Sequence, residues 1–252
     1  MIQLKNEQQI EGIRRSCRLL ARMLDSLEGW LHAGLSTKEI DRYCYDFIIK
    51  NHGKPALLGY MDYPATACIS VNEEVIHGIP SKKKIIRDGD LVSVDCCIDL
   101  DGYISDSSRT YIIGGTSTPE AMKLVQVTKE CLDLAVKAAN RPGARLHDIG
   151  RAVFNHADRF GFGVVRDYCG HGVGLEVHEP PEVPNYVNPL SPNPRLRIGM
   201  VLAVEPMITM GSKAIHELDD GWTVVTNDGK PAAHFEHTIA ITANGAEILT
   251  VD

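Results

Sequence analysis

Two carboxylates in the stretch LVSVDCCIDLDGYISDSSRT (91–110) are the residues with the clearest capacity for chemistry. Runs rich in Val, Ile and Tyr flank Asp101-Gly102, and such a pair predicts a two-residue hairpin loop. In that register Asp106 lies opposite Cys97, and Asp95 shares the face of Cys97 because side chains alternate along a strand. Asp95 and Asp106 are then diagonal neighbours on one face, with backbones about 7–8 Å apart.

Two carboxylates in this arrangement repel one another, and they are well placed to hold one or two cations between the strands. The hairpin taken alone favours a simpler interpretation, in which both are solvent-facing strand carboxylates. Three other places in the chain reverse that preference. In each of them an ionisable residue lies within an apolar, strand-like run.

The first place is the sequence GHGVG around His171, followed closely by His178. We expect the glycines around His171 to leave room for a ligand beside the two histidines. A phosphate-binding loop is only weakly indicated, because the glycine spacing is not G-x-G-x-x-G and no helix signal follows.

The other two places contain single glutamates. Glu205 interrupts the apolar run LAVEPM, and Glu236 alternates with His234 onto one face of HFEHTI. A buried carboxylate is rare unless it is paired or binds a metal ion. Each residue alone is equally consistent with a hydrogen-bonded structural role. Together with the aspartates, however, they make four carboxylates and at least one imidazole that need a shared counter-charge.

Two divalent cations would neutralise four carboxylates. Bridging carboxylates allow both ions to share one water molecule and to lower its pKa, which generates a nucleophile for hydrolysis. Oxygen-rich ligation with one imidazole favours Mn, Fe or Co over a structural zinc site of the thiolate type, and does not choose among the three.

The elements that must position these groups follow from periodicity and turn signals. Apolar residues at steps of three and four between Ile10 and Leu31 predict a first helix. Capping boxes at Ser36-x-x-Glu39 and Ser117-x-x-Glu120 predict a second helix that ends before Gly53 and a third that ends near Asn140. The remaining predictions are a helix over 146–160, strands over 67–71, 164–169, 200–209, 222–226 and 234–241, and a last hairpin turn at Asn244-Gly245.

The order helix, helix, strands occurs twice, with an offset of roughly 110 residues. We therefore expect an α+β fold in which residues 1–252 form a single catalytic domain. Its two similar halves would span roughly 1–115 and 116–252, with antiparallel sheet inside and helices outside. The Pro-rich segment Asn185–Arg197 is expected to be a surface loop.

Composition restricts the class of protein. The chain has 252 residues, a formal net charge of −7 and a pI near 5.8, which argues against a nucleic-acid surface. Seven cysteines, an odd number, argue against a disulfide framework and suit a reducing compartment. The N-terminus lacks the pattern of a signal peptide, and no apolar run approaches about 18 residues. We therefore expect a cytoplasmic protein without membrane segments.

At this point the chain resembles the type I methionine aminopeptidases, which have the pita-bread fold. The resemblance extends over essentially the whole chain. It is carried by the eleven-residue spacing of Asp95 and Asp106, GHGVG at His171, EPM at Glu205, FEHT at Glu236, HGIP at His77 and DGWTVVT at Trp222.

The resemblance implies two divalent metal ions, of Co, Mn or Fe, and five ligands. The implied ligands are Asp95, Asp106, His171, Glu205 and Glu236, with Asp106 and Glu236 bridging both ions. His178 is expected to donate a hydrogen bond to the scissile carbonyl oxygen, and His77 to contact the substrate amide. Glu205 would also act as general base.

The resemblance also implies an apolar pocket for the methionine side chain, lined by Tyr60, Tyr63, Cys68 and Trp222. Without the family, ordinary core aromatics would be the preferred interpretation of these residues. Two departures bear on the dimensions of the pocket. Val177 stands where other members can carry a bulky aromatic residue, and Met61 replaces a common histidine.

The implied function is removal of the initiator methionine from nascent polypeptides when the second residue is small. Such an enzyme is a hydrolase and a metalloprotease. We expect transient ribosome contact through the catalytic domain, because no N-terminal zinc-finger extension is seen. We also expect no nucleic-acid specificity and a monomer.

Three alternatives are weaker. A prolidase or aminopeptidase P would carry a large extra N-terminal domain, whereas here the first helix is expected almost at residue one. A non-catalytic relative would have lost ligands, and all five are present. A type II methionine aminopeptidase would have a helical insertion between His178 and Glu205, which only 27 positions separate.

Overall fold

Four α-helices form close to where the sequence predicts them. The computed structural model describes residues 1–251 of the chain. The helices are α1 (Glu7–Glu28), α2 (Thr37–Lys50), α3 (Pro119–Ala139) and α4 (Leu146–Arg159). None of the helices in this described part of the chain is both long and apolar enough to span a membrane.

The helix caps agree with the sequence in one case and differ in another. The Ser36 side chain accepts a hydrogen bond from the backbone N–H of Glu39 and closes the predicted capping box of α2. For α3 the predicted cap is wrong by one residue, because Thr118 caps the helix. The hydroxyl of Ser117 instead donates to the carbonyl of Gly89 at 2.6 Å and ties the helix start to a neighbouring turn.

Fifteen strands are described, and all of their pairings are antiparallel. The strands are β1 (Lys54–Pro55), β2 (Ala67–Val71), β3 (Glu74–Ile76), β4 (Leu91–Leu100), β5 (Tyr103–Ile112), β6 (Gly163–Val164), β7 (Gly170–Gly172), β8 (Glu179–Val183), β9 (Val201–Val204), β10 (Met207–Thr209), β11 (Ile215–Glu217), β12 (Val224–Thr226), β13 (Ala232–His234), β14 (His237–Thr242) and β15 (Gly245–Ile248).

The two larger sheets carry most of the site. In one, β4 pairs with β1, β2 and β5; in the other the order is β15-β14-β9-β7-β8. Apolar side chains of α1 and α2 pack against β2 and β4, while α3 and α4 pack against β9, β10 and β14. Helices thus bury their apolar faces against strands in both parts of the chain, and the predicted α+β class is confirmed.

The β4–β5 hairpin has the predicted register. Leu100 pairs with Tyr103 across the loop, and Asp106 pairs with Cys97. Asp101 and Gly102 both have positive φ, +56° and +82°, as the turn requires. Because the register is the predicted one, the side chains of Asp95 and Asp106 share one face of the sheet.

Several strand predictions are too long. The runs 200–209 and 234–241 are each broken in two, at Glu205-Pro206 and at Phe235-Glu236. Pro206 has no N–H and cannot donate a hydrogen bond to a neighbouring strand. The N–H of Glu236 donates to the carbonyl of Ser108 on β5 and not to a strand of its own sheet. The prediction of a strand over 164–169 is wrong beyond Val164, because the chain there leaves the sheet.

Two loops also differ in detail from expectation. Thr242 pairs with Gly245, so the loop of the last hairpin consists of residues 243 and 244, not Asn244-Gly245. The Pro-rich segment is irregular, as predicted, but its first residue is not at the surface. Asn185 is buried, and its side-chain amide donates to the carbonyl of Glu205 at 2.8 Å.

Candidate active site

A single cavity of about 620 Å³ contains all eleven residues that the sequence analysis selected. The carboxylates come from four different segments that the fold brings to one place. Asp95 and Asp106 lie on the paired strands β4 and β5, while Glu205 and Glu236 lie at the two strand breaks. His171 lies in the middle of β7. Breaks in the ladders therefore occur where carboxylates enter the cavity.

The imidazole of His171 is oriented by its own backbone. Its Nδ1 lies 2.9 Å from the carbonyl oxygen of Gly172, which can only accept, so Nδ1 carries the proton. The unprotonated Nε2 faces the cavity, 3.6 Å from Asp106 Oδ2 and 3.5 Å from Glu205 Oε1. A hydrogen bond of this kind fixes the tautomer of a metal-ligating histidine.

The glycines beside His171 have a different role from the one expected. A Cβ on Gly170 would lie 2.3 Å from the carbonyl oxygen of Ala203, and one on Gly172 would lie 2.5 Å from that of Pro180. Both glycines therefore permit close approach of neighbouring backbones. The expectation that they leave room for a ligand is wrong.

The carboxylates strongly disfavour their own ionisation. Burial raises the pKa of Asp106 to about 7, against hydrogen bonds from Cys97 and Ser107 that lower it. Burial, followed by the charge of Asp106, raises the pKa values of Asp95, Glu205 and Glu236 well above the usual range. The cavity thus gathers carboxyl groups whose ionised forms need a cationic partner.

No side-chain cation in the described residues 1–251 serves as that partner. Within this part of the chain, the ion pairs of these carboxylates involve His171 and His234, whose pKa values burial lowers to about 3. Both imidazoles are therefore neutral at pH 7. The buried atoms Asp95 Oδ1 and Glu236 Oε1 have no hydrogen-bond partner.

The donor set fits divalent cations. Ligand atoms of Asp106, His171 and Glu236 lie within 4.8 Å of one another, and all three residues are buried. Oxygen donors with one imidazole match the preferences of divalent transition metals. Unpartnered carboxylate oxygens and the free Nε2 are the groups that such ions would satisfy.

His178 and His77 also line this cavity, and the ring of His178 lies 4.0 Å from that of His171, measured between ring centroids. Nδ1 of His178 is 3.0 Å from the hydroxyl oxygen of Tyr60, and the two rings stack with 5.5 Å between their centroids. His77 packs edge-on against Trp222 at 5.9 Å and has a φ of +58°. That conformation is strained for a residue with a Cβ, and such strain concentrates at functional sites.

The apolar part of the cavity contains the four predicted pocket residues. Tyr63 and Cys68 are almost fully buried, and Tyr63 contacts the edge of Trp222 at 5.0 Å. The two residues that depart from the family pattern differ in placement. Val177 is buried and packs in this apolar cluster, whereas Met61 lies at the cavity mouth and is 73 % exposed.

Two further residues at the site, His234 and Cys97, have no role that the sequence predicts. His234 is fully buried beside Glu205, with 3.7 Å between Nε2 and Oε2, and neither of its ring nitrogens has a hydrogen-bond partner. The alternation of His234 with Glu236 is the signal that places it there. Cys97, which shares a face with Asp95 and Asp106, also lines the cavity.

Comparison with known proteins identifies the family. A model of metallopeptidase family M24 matches residues 11–243. The chain belongs to metallopeptidase family M24. The sequence is 51 % identical to the methionine aminopeptidase of Treponema pallidum, covering 99 % of this chain and 96 % of that protein. It is 42 % identical to the methionine aminopeptidase of Escherichia coli K12, covering 99 % and 94 %.

Solved structures of the family agree. The crystal structure of methionine aminopeptidase from Thermotoga maritima has a TM-score of 0.95 and 41 % identity, with complete coverage of both chains. A prolidase from Pyrococcus furiosus has a TM-score of 0.75 at 24 % identity, covering 99 % of this chain and 65 % of that one, which shows a shared fold alone. The predicted pita-bread fold and family resemblance are confirmed. Membership of this metallopeptidase family implies use of a divalent metal ion.

Proposed function

We propose that this M24 metallopeptidase removes the N-terminal methionine from polypeptides whose second residue is small. The proposal rests on one observation: a cluster of metal-ligating side chains and an apolar pocket lie in the same cavity. Four carboxylates and an imidazole without a side-chain cation adjoin an apolar pocket lined by Tyr63, Cys68 and Trp222. Full-length identity of 42–51 % to methionine aminopeptidases supports the same assignment.

The proposed metal centre contains two divalent ions, of Co, Mn or Fe. Asp95, Asp106, His171, Glu205 and Glu236 would hold them. When bound, such ions lower the pKa of a water molecule and polarise a carbonyl group. The four carboxylates support a pair of ions, because one divalent cation would leave half of their charge uncompensated.

Side chains around the centre have distinct proposed roles. Glu205, whose pKa is raised by burial and by Asp106, is suited to accept a proton from the attacking water. Burial also raises the pKa of Tyr60, so its hydroxyl stays protonated and can donate to Nδ1 of His178. The imidazole proton then lies on Nε2, which is free to donate to the scissile carbonyl oxygen.

His77 and the apolar residues would select the substrate. Burial lowers the pKa of His77 to about 4, so its neutral ring can hydrogen-bond to the substrate amide without adding charge. The thioether of methionine is unbranched and suits a pocket walled by aromatic rings and the Cys68 thiol. Tyr60 lines the pocket and stacks against the ring of His178.

We further propose that residues 1–252 form one catalytic domain with similar halves at 1–115 and 116–252. The same proposal includes action in the cytoplasm on nascent chains, transient contact with the ribosome, no specificity for nucleic acid, and a monomeric state. The negative net charge supports the absence of nucleic-acid binding.

A peptide panel tests the proposal. The protein, freed of metal and then reconstituted separately with Mn²⁺, Fe²⁺ or Co²⁺, is assayed against Met-Ala-Ser, Met-Pro and Ala-Pro-Gly. We expect methionine to be released from Met-Ala-Ser and Ala-Pro-Gly to remain intact. Cleavage of X-Pro bonds alone would instead assign a prolidase-like activity, which the shared fold permits.

A further inference from the structure

A buried ion pair joins the segment before α1 to the loop that carries His178. The ammonium of Lys5 contacts Glu179 Oε2, and the two side chains are only 1 % and 4 % exposed. Charged side chains are seldom buried to this degree, and removing one partner leaves an uncompensated charge. Neither residue has a role in the site as described above.

The second oxygen of the Glu179 carboxylate shapes the loop. Oε1 accepts hydrogen bonds from the backbone N–H groups of Leu175 at 2.8 Å and Glu176 at 3.1 Å. At the other end of the same loop, the carbonyl of Gly174 accepts from the N–H of Ile104 on β5 at 2.8 Å. Residues 174–179 are thus fixed at both ends.

Lys5 is itself held by the backbone. Its N–H donates to the carbonyl of Gly199 at 2.7 Å, at the residue that precedes Met200 and strand β9. The side chain also lies against Gly174, because a Cβ built there would be 3.6 Å from Lys5 Cε. These contacts hold the Lys5 ammonium in one position, and its ion pair holds the carboxylate of Glu179 there.

The loop supplies one side chain to the cavity and one to the apolar cluster beside it. Val177 packs in the apolar cluster with Tyr63 and Cys68, and His178 places its ring beside Tyr60. His178 and Glu179 are adjacent in the chain. A displacement of the Glu179 carboxylate therefore also displaces the backbone that carries the His178 imidazole. A misplacement of about 1 Å at a reacting centre can reduce rate about 100-fold.

We propose that Lys5 and Glu179 are positioning residues that hold His178 in place for the reaction. The inference rests on the proposed function of His178 and adds the means by which its loop is fixed. It also gives the N-terminal segment a part in catalysis, although this segment lies outside the cavity.

The test compares Lys5→Met with Lys5→Met/Glu179→Gln. The single variant leaves the Glu179 charge buried without a partner, and we expect kcat on Met-Ala-Ser to fall about 100-fold, with a smaller change in KM and unchanged affinity for Mn²⁺. In the double variant the amide oxygen of Gln still accepts from Leu175 and Glu176, and no charge is stranded. We expect it to recover most of kcat.

A second readout does not depend on activity. In Lys5→Met and in Glu179→Ala the amide protons of Leu175 and Glu176 should exchange faster than in the wild type, and in the double variant they should stay protected. Arg14→Met is the matched control, because Arg14 joins α1 to the second half of the chain through Glu247 at 3.0 Å, and the ion pairs and hydrogen bonds of its side chain are with Glu247 and Glu11, not with residues 174–179. Its kcat should equal that of the wild type.

The possible results separate the inference from the proposed function. Wild-type kcat in Lys5→Met, or a double variant as impaired as the single one with intact fold and metal affinity, would overturn the positioning role. If Lys5→Met fails to fold, the double variant and Glu179→Ala still decide between the two outcomes. A wild-type protein that does not cleave Met-Ala-Ser would refute the proposed function, whereas the exchange data would still report on the loop.

Discussion

The carboxylate of Asp106 lies 3.6 Å from Nε2 of His171, although the two residues come from different sheets. Asp106 also adjoins Glu236, and after burial its charge is the next largest cause of the raised pKa values of Asp95, Glu205 and Glu236. Its ionisation is thus coupled to that of every other carboxylate of the site.

Asp106→Asn should abolish metal-dependent peptidase activity with little loss of fold. The amide keeps the volume and removes the negative charge that the proposed ions share, so Mn²⁺ affinity measured by calorimetry should fall at least tenfold. Asp101→Asn is the control, because it makes the same change at the exposed tip of the same hairpin. Wild-type cleavage of Met-Ala-Ser by Asp106→Asn would show that the assignment of this residue is wrong.

His178→Ala should separate metal binding from turnover. The ring contacts Tyr60 and packs against the His171 ring, but it makes no ion pair with the carboxylates, and the His171 tautomer is held by the carbonyl of Gly172, so Mn²⁺ affinity should be retained. Loss of a donor to a developing oxyanion reduces kcat about 10²–10³-fold. Tyr60→Phe, which removes only the hydroxyl beside Nδ1, should have a smaller effect. Loss of metal from His178→Ala would count against the proposed role.

The chelated protein should lose stability as pH rises from 7 to 8.5. Burial raises the pKa of Asp106 to about 7 and those of Asp95, Glu205 and Glu236 well above the value of about 4 that they have when unfolded. In this window the folded protein binds more protons than the unfolded chain, so the free energy of unfolding decreases with pH.

Histidines whose pKa burial lowers oppose this trend near pH 7, and cysteines whose pKa burial raises add to it near pH 8.5, because the unfolded pKa values are about 6.5 and about 8.5. Thermal unfolding in EDTA and in excess Mn²⁺ at the two pH values isolates the carboxylate contribution, which is the part of the pH dependence that Mn²⁺ should remove. The slope should be shallower in Asp95→Asn. A chelated wild-type protein that gains stability over the same window would contradict the charge arrangement described here.

Gly170→Ala should reduce both stability and metal affinity. The new methyl group would meet the carbonyl oxygen of Ala203 at 2.3 Å, and a backbone atom inside a sheet cannot move aside easily. We expect a loss of about 1–3 kcal/mol in the free energy of unfolding. Because His171 is the next residue, Mn²⁺ affinity should fall too.

Gly29→Ala is the matched control for this prediction. A Cβ at Gly29 meets nothing within 4 Å, and its φ of −87° is accessible to any residue. Its effect should stay within about 0.5 kcal/mol by chemical denaturation. An equal effect of the two substitutions would mean that the close approach of β7 and β9 does not constrain His171.

Much of the fold follows from local sequence. The apolar periodicity of α1, the capping box at Ser36 and the Asp101-Gly102 turn each specify their element through interactions among near neighbours. The turn type alone fixed the register that sets Asp95 and Asp106 on one face. The ligand set, by contrast, came from resemblance of motifs, since spacing in the chain does not bring Glu205 to Glu236.

The tertiary structure decided what depends on distant neighbours. Strand periodicity continues through Glu205 and Glu236, and only pairing with other segments shows where the ladders break. The purpose of Gly170 and the link between Lys5 and Glu179 are likewise invisible in sequence, because they involve backbones and charges far apart in the chain. Local interactions determine elements, whereas the position of each side chain in the site depends on how those elements pack.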